Sequence, residues 1–189
     1  MADLLVKTTD RSGPTVSVAN RLRRLIWGIV YSVLFRPSPR IAHSWRAGIL
    51  RLFGAKIGKK VHVYPKAKIW APWNLEIDDE CGVGDDATLY SMDKIKLGLR
   101  SVVSQGAYLC CGTHDYNSPT MQLITKPITI CDDAWICAEA FIFPGVTVGE
   151  GGVAGARAVV TKDIPEWTVW AGNPCVLRGT RKRHNLPKA

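Results

Sequence analysis

The sequence predicts an all-β fold, a parallel β-helix of hexapeptide repeats, and three observations support this prediction. Aliphatic residues recur at every sixth position over most of the chain. They form five triplets, each the length of one three-sided coil, and an apolar-polar-apolar start precedes three of them, at Leu75, Ile95 and Ile128. A six-residue period fits neither a helical stripe nor simple strand alternation, but it is the signature of a hexapeptide β-helix. The predicted inward residues are Ile57, Val63, Ile69, Ile77, Val83, Leu89, Leu97, Val103, Leu109, Ile130, Ile136, Ile142, Val148, Ala154 and Val160.

The repeats define one β-helical domain over residues 57–178. Glycine follows several inward positions, as at Gly58 and Gly84, and we expect it to relieve backbone strain where the chain bends at each corner. The chain has 189 residues with 47% hydrophobic content, which is enough to bury a single sizeable core without disulfides or metal.

The two ends of the chain differ from the repeats in composition. Residues 1–20 are polar and lack the apolar region of an export signal, so we expect a loose arm and a cytoplasmic protein. Residues 179–189 form a basic tail. The six cysteines are expected to be reduced thiols, because no spacing between them suggests a zinc site. They are Cys81, Cys110, Cys111, Cys131, Cys137 and Cys175.

Residues 21–56 are predicted to form two helices. The apolar run 25–35 is too short to cross a bilayer and ends before Pro37. A second apolar stripe with Trp45, Ile49, Leu52 and Phe53 follows. The favoured interpretation is that both helices cap the open end of the β-helix.

The charge of the chain leaves a second role open for these helices. The net charge is +9, and arginines precede the apolar run, so residues 21–54 are also candidates for peripheral contact with an anionic membrane. Nucleic acid is not an expected partner, because the repeats contain no groove-reading helix or aromatic sheet motif.

The candidate chemistry lies where the six-residue period breaks. After Leu109 the repeat stops, and residues 115–126 form a predicted protruding loop. His114 stands at its root, where a rigid scaffold would hold a catalytic base. The other histidines, at positions 43, 62 and 184, are less promising candidates, because they lie before the second helix, on the first coil and in the tail.

Motifs around this break resemble the hexapeptide-repeat acetyltransferases, and the colanic acid biosynthesis acetyltransferase subgroup in particular. The resemblance covers residues 21–178 and implies a left-handed coil and a homotrimer with acetyl-CoA in clefts between subunits. It also implies that His114 is the general base. The motifs are Gly112-Thr113-His114-Asp115, the run 144–149, the run 160–165 and Ala171-Gly172-Asn173-Pro174.

The resemblance also implies which residues contact the cofactor. Each of them has an ordinary structural role as its alternative, such as corner packing, a solvated charge or a subunit contact. Small residues would admit the pantetheine arm, and cations would meet the phosphates. The matching positions are Trp135, Ala138, Ala156, Thr161, Lys162 and Arg178.

Candidate contacts to the acceptor surround His114. Asp115 and Tyr116 follow it in the loop. If coils stack twenty residues apart, Tyr90 lies beneath Cys110, Asp93 beneath Thr113 and Lys94 beneath His114. Asp93 is therefore a second catalytic candidate, to hold the imidazole tautomer or the acceptor hydroxyl. Its alternative role is that of a solvated corner carboxylate.

The sequence thus predicts an O-acetyltransferase that moves acetyl from acetyl-CoA directly to a hydroxyl of a sugar or lipid-linked sugar in exopolysaccharide or surface-glycan synthesis. No metal is expected. A Cys/His nucleophilic pair using Cys110 or Cys111 is a rival mechanism. A non-catalytic trimeric scaffold is the alternative function, and a carbonic anhydrase of the same fold is disfavoured because it needs three converging histidines.

Overall fold

The computed structural model describes residues 15–183, so most of the predicted polar arm and His184 lie outside the described residues. Two helices come first. Helix α1 covers Val18–Val30 and continues as a π-helical turn over Tyr31–Phe35. Helix α2 covers His43–Leu52. The first helix therefore begins inside the segment predicted to be a loose arm, and the Ser17 hydroxyl caps it by accepting from the Asn20 N–H.

Short strands then wind around three sides, which we number I to III, and parallel pairing joins successive coils. Side I contains β1 (Lys56–Ile57), β4 (Leu75–Ile77), β7 (Ile95–Leu97), β12 (Ile128–Ile130) and β15 (Thr147–Val148). Side II contains β2 (His62–Val63), β5 (Gly82–Val83), β8 (Val102–Val103), β13 (Trp135–Ile136), β16 (Val153–Ala154), β18 (Thr168–Ala171) and β19 (Val176–Thr180). Side III contains β3 (Lys68–Ile69), β6 (Thr88–Tyr90), β9 (Tyr108–Cys110), β14 (Phe141–Ile142) and β17 (Val159–Val160). Two further strands, β10 (Gly112–His114) and β11 (Leu123–Thr125), form a separate antiparallel pair.

The predicted column of inward aliphatic residues is confirmed. Ile57, Ile77 and Leu97 are successive partners on side I, and the other two sides repeat this alignment. All fifteen predicted inward side chains are buried except Ile57, which is half-buried under the helices. Each side chain stacks on its equivalent in the next coil, so the core is continuous from the first coil to the last.

Two details at the corners and the C-terminus differ from the predictions. Gly84 is required by close approach rather than by strain, because a Cβ there would lie 2.7 Å from the Gln105 backbone nitrogen. The corner residues with positive φ are mostly not glycine, as Asp86 and Arg157 illustrate. At the C-terminus, β19 turns back antiparallel on β18 and reaches Thr180, beyond the predicted end of the domain.

Both helices pack on the first coil through a few large side chains. Trp27 and Phe35 are buried, and the Trp27 indole N–H donates to the Ile69 carbonyl at 2.8 Å. The predicted apolar stripe of the second helix is wrong in part. Trp45 is 52% exposed and Leu52 is 84% exposed, because the face of α2 that packs inward is Arg46, Ala47, Ile49 and Leu50.

Arg46 is a fully buried arginine that sequence reasoning missed. Its Nε donates to the Val63 carbonyl at 2.6 Å, and its two terminal nitrogens donate to the carbonyls of Pro39 and Arg40 at 2.8 and 2.7 Å. A buried guanidinium is tolerated when its donors are satisfied. The side chain therefore ties the connection between the helices to the first coil.

Candidate active site

The break in the repeats is a β-hairpin, which we call the hairpin, residues 112–125. Gly112 pairs with Thr125, and His114 pairs with Leu123. It leaves the corner between sides III and I, and the Lys126 N–H closes its root by donating to the Cys111 carbonyl at 3.0 Å. The predicted loop at 115–126 is thus the tip of the hairpin together with its returning strand, an arrangement that fixes His114 on a strand.

His114 is exposed and its ring has a defined hydrogen bond. Nδ1 lies 2.6 Å from the Met121 carbonyl oxygen, across the hairpin. A carbonyl oxygen only accepts, so Nδ1 carries the proton. In the neutral ring Nε2 then keeps its lone pair and can accept a proton from a substrate, which is the tautomer that a general base requires.

Asp93 lies elsewhere than predicted. The twenty-residue register holds as far as Tyr90 and Cys110, which are partners. Beyond that point the hairpin leaves the coil and side I resumes at Ile128, the partner of Ile95. The predicted positions of Asp93 beneath Thr113 and of Lys94 beneath His114 are therefore wrong.

The contacts of Asp93 point to a positioning role. The residue is 8% exposed, and its carboxylate accepts from the Thr125 hydroxyl at 3.2 Å and from the Lys94 N–H at 2.7 Å. Thr125 lies in the returning strand of the hairpin. Asp93 thus anchors that strand, while the Met121 carbonyl holds the His114 tautomer. A solvated corner carboxylate is excluded for this residue by its burial.

The two cysteines beside the hairpin are poorly suited to nucleophilic catalysis. Cys111 is buried, and burial raises the pKa of its thiol to about 12. Burial also raises the pKa of the half-buried Cys110 thiol, which donates to the Gly112 carbonyl at 3.1 Å. Because the thiolate is the reactive form, this environment disfavours the Cys/His mechanism.

Tyr90 connects the root of the hairpin to a groove beside the first helix. A Cβ on Gly112 would lie 3.3 Å from the Tyr90 ring and 2.6 Å from Met92 Sδ, so the hairpin root packs closely against both side chains. The helix groove, about 280 Å³ in volume, lies between α1 and side III. Sequence reasoning missed the groove, because it joins residues far apart in the chain. Its principal side chains are Arg24, Trp27, Tyr31, Lys68, Trp70 and Tyr90.

The other two predicted acceptor residues lie at the tip of the hairpin. Asp115 accepts from the Asn117 N–H at 3.0 Å and so shapes the turn. Tyr116 is 82% exposed. Neither lines the helix groove, so the structure brings together Tyr90 and the hairpin root but leaves these two residues beyond His114.

The predicted cofactor residues are spread over side II, two corners of the prism and β19. Trp135 lies on the outer face of side II and donates to the Ser104 hydroxyl at 2.8 Å. Ala138 and Ala156 stack at the corner between sides II and III, where the Arg157 N–H donates to the Ala138 carbonyl.

The remaining cofactor candidates are exposed elsewhere. Thr161 and Lys162 lie at the corner between sides III and I, two coils beyond the hairpin, and Arg178 lies on β19. Side III therefore separates His114 from Ala138 and Ala156 within one chain.

Within residues 15–183 there is no group of three or more His, Cys, Asp or Glu side chains arranged to hold a metal ion. The stacked rings of His43 and His62, with centroids 4.6 Å apart, lie at the helical end of the prism. No helix in this part of the chain has the length and hydropathy to cross a bilayer.

Comparison with known proteins places this geometry in a family. No family model matches the chain. It is 44% identical over 158 residues to the putative colanic acid biosynthesis acetyltransferase WcaF of Escherichia coli K12, covering 84% of this chain and 87% of the relative. Its fold matches a maltose O-acetyltransferase from Clostridium difficile 630 with a TM-score of 0.81 and 24% identity, over 88% and 90% of the two chains. It also matches a hexapeptide-repeat-containing acetyltransferase from Vibrio cholerae, complexed with acetyl coenzyme A. The TM-score is 0.79 and the sequence identity 23%, over 88% of this chain and 91% of that one.

These similarities agree with the stacked three-sided coils. The chain belongs to the hexapeptide-repeat acetyltransferases, the left-handed parallel β-helix family. The fold and family predicted from the repeats and motifs are thereby confirmed.

Proposed function

We propose that this protein transfers acetyl from acetyl-CoA to a hydroxyl of a sugar, with His114 as the general base. The observation that carries the proposal is the bond from His114 Nδ1 to the Met121 carbonyl, which leaves Nε2 available on an exposed hairpin. The similarity to proteins named as a colanic acid acetyltransferase and a maltose O-acetyltransferase supports the sugar acceptor.

The reaction needs one base and no acyl-enzyme. Nε2 of His114 takes the hydroxyl proton as the sugar oxygen attacks the thioester carbonyl. The tetrahedral intermediate then collapses, the carbon–sulfur bond breaks, and the CoA sulfur leaves with the proton returned from the imidazolium. The Met121 carbonyl keeps the ring oriented in both steps through its bond to the Nδ1 proton.

The cofactor lies between subunits of a homotrimer. His114 and the predicted cofactor alanines stand at different corners of one prism, so adjacent prisms are needed to bring the two corners together. Ala138 and Ala156 leave room for the pantetheine arm beside the backbone, with Trp135 along the same side. Lys162 and Arg178 are exposed cations for the phosphates, and Thr161 supplies a hydroxyl.

The acceptor enters along the helix groove. Trp70 and Tyr90 offer aromatic faces for a sugar ring, and Arg24 and Lys68 offer positive charge to an acidic or phosphorylated acceptor. Tyr90 leads from this groove to Gly112 at the hairpin root, and Asp115 and Tyr116 lie beyond His114 at the tip of the hairpin, where they would meet a more distant part of the acceptor. The acceptor class is a sugar or lipid-linked sugar of exopolysaccharide or surface-glycan synthesis, at the cytoplasmic face of the membrane.

The decisive test is His114→Ala in a steady-state acetylation assay with a panel of nucleotide sugars and lipid-linked oligosaccharides. We expect kcat to fall at least about a hundredfold, with an unchanged trimer mass and melting temperature because the side chain is exposed. His62→Ala, another exposed histidine on the β-helix, is the control and retains activity.

Comparable activity in His114→Ala would refute the base assignment. The scaffold alternative makes a different prediction: the wild-type protein then fails to bind acetyl-CoA by calorimetry and acetylates none of the acceptors.

A further inference from the structure

The outer surface of the first helix carries apolar side chains that face away from the core. They follow the spacing i, i+4, i+7, i+11, i+15 and are between 58% and 77% exposed. Val18 lies nine residues from the buried Trp27, and Ile29 lies nine residues from the buried Asn20. Nine residues are about two and a half helical turns, so the two sets lie on opposite faces. We call the exposed set the apolar stripe: Val18, Leu22, Leu25, Ile29 and Val33.

The second helix extends this apolar surface. Trp45 and Leu52 project from the exposed face of α2. Leu52 and Ile26 line the same surface groove, and the Trp45 indole donates to the Leu34 carbonyl at 3.0 Å, so both helices contribute to one patch. Side chains that only cap a core do not require an apolar outer face.

Charge around the patch has a single sign. Residues 15–75, which we call the basic cap, contain twelve Lys and Arg and no Asp or Glu. Residues 76–183 contain ten Lys and Arg against fourteen Asp and Glu. Three of the cations in the basic cap pair with carboxylates of the second coil. The basic cap nevertheless keeps a net positive charge, and the exposed apolar patch lies within it.

Arginines border the stripe directly. Arg21 and Arg36 are exposed, and among residues 15–183 neither forms a salt bridge with an acidic side chain. Arg23 and Arg24 lie over the rings of Trp73 and Trp70, at 4.2 and 4.0 Å from the ring centroids. A helix with an apolar face, flanking arginines and aromatic neighbours suits the boundary between lipid headgroups and acyl chains.

We infer that the basic cap is a docking surface for an anionic lipid bilayer, with the apolar stripe inserted at the headgroup boundary. The favoured occupant is a membrane rather than a second copy of this chain, because two basic caps would repel each other. The inference goes beyond the proposed acetyl transfer and does not depend on it. Arg24 and Trp27 of α1 also line the helix groove. Docking of α1 on a bilayer would therefore place the groove beside the lipid surface.

The test is sedimentation of the full-length protein with vesicles of phosphatidylcholine, with or without phosphatidylglycerol, at low and high salt. The wild type is expected to bind the anionic vesicles, to bind neutral ones weakly, and to lose affinity in high salt. Leu22→Gln/Leu25→Gln/Ile29→Gln is expected to lower the partition coefficient at least about tenfold. Leu177→Gln, which changes a leucine 55% exposed on β19, is the matched control and binds as the wild type.

A second pair of variants separates charge from hydrophobic contact. Arg21→Gln/Arg36→Gln is expected to weaken binding to anionic vesicles about fivefold for each arginine, whereas Lys182→Gln, at the other end of the prism, leaves it unchanged. The inference is overturned if the wild type ignores anionic vesicles, or if the triple variant binds them equally well. It is also overturned if the triple variant lowers the oligomer mass while vesicle binding is absent, since the stripe then joins copies of the chain.

Discussion

A single main-chain carbonyl decides which nitrogen of His114 can act. The Met121 carbonyl accepts from Nδ1 at 2.6 Å, a task that a carboxylate performs in many catalytic triads. Because the orienting group is a backbone atom, no substitution of a side chain removes it directly. The shape of the hairpin, including the positive φ of Met121, is therefore part of the proposed catalytic apparatus.

The cysteines at the hairpin root give a second test at the residue scale. Cys110→Ala and Cys111→Ala are expected to retain most activity, because burial raises the pKa of both thiols and direct transfer needs neither. Intact-protein mass spectrometry after mixing with acetyl-CoA is expected to find no acetyl adduct. An acetyl group trapped on either thiol would establish an acyl-enzyme and reject direct transfer.

Among the secondary-structure elements, the second helix depends on Arg46. Arg46→Met would leave the carbonyls of Val63, Pro39 and Arg40 without these donors in a buried setting. We expect a loss of about 3 kcal/mol in the free energy of unfolding, measured in urea. Arg51→Met on the same helix is the control. It also removes bonds to carbonyls, but the residue is exposed, so water replaces it and the loss is expected to stay below about 1 kcal/mol.

The same helix makes stability depend on pH through His43. Burial lowers the pKa of this imidazole, and the nearby Arg46, His62 and Arg40 lower it further. Since the folded pKa is below the unfolded one, the unfolded state binds the proton more tightly. Stability is then complete above the ordinary pKa of about 6.5 and declines as the pH falls through it.

His43→Gln is expected to flatten this decline in thermal melts between neutral and mildly acidic pH. The wild type loses melting temperature over that range, and a variant with the same slope as the wild type would contradict the role of His43. His62→Gln serves as the comparison, because it removes the stacked neighbour while His43 remains.

For the whole molecule, the separation of His114 from the cofactor corner predicts complementation between subunits. Ala156→Trp blocks the proposed cofactor corner, and its exposed position means that folding is preserved. Mixed trimers of His114→Ala and Ala156→Trp chains contain some sites with both halves intact. Random mixing is expected to restore about a quarter of the wild-type activity. As the control, mixtures of His114→Ala with His114→Gln are expected to show no recovery of activity. If the mixture of His114→Ala with Ala156→Trp is equally inactive, both halves of the site lie in one chain.

The sequence by itself determined the β-helix and the position of the candidate base. Each coil repeats the same local pattern, so every inward residue from Val63 to Val160 could be predicted from the six-residue period. The interruption of that period located the hairpin and His114. Local periodicity suffices here because each coil contacts only its neighbours.

Only the tertiary structure decided the rest. Helix α1 carries apolar residues on both faces, so its sequence does not indicate which face packs on the β-helix. Only the packing showed that Trp27 faces the core and the apolar stripe faces outward. The predicted position of Asp93 beneath Thr113 was wrong because the coils on either side of the hairpin do not reveal how many residues the hairpin contains. The Met121 carbonyl and the three carbonyls that accept from Arg46 belong to the backbone, which carries no residue-specific signal. Contacts between distant main-chain atoms exist only once the chain has folded.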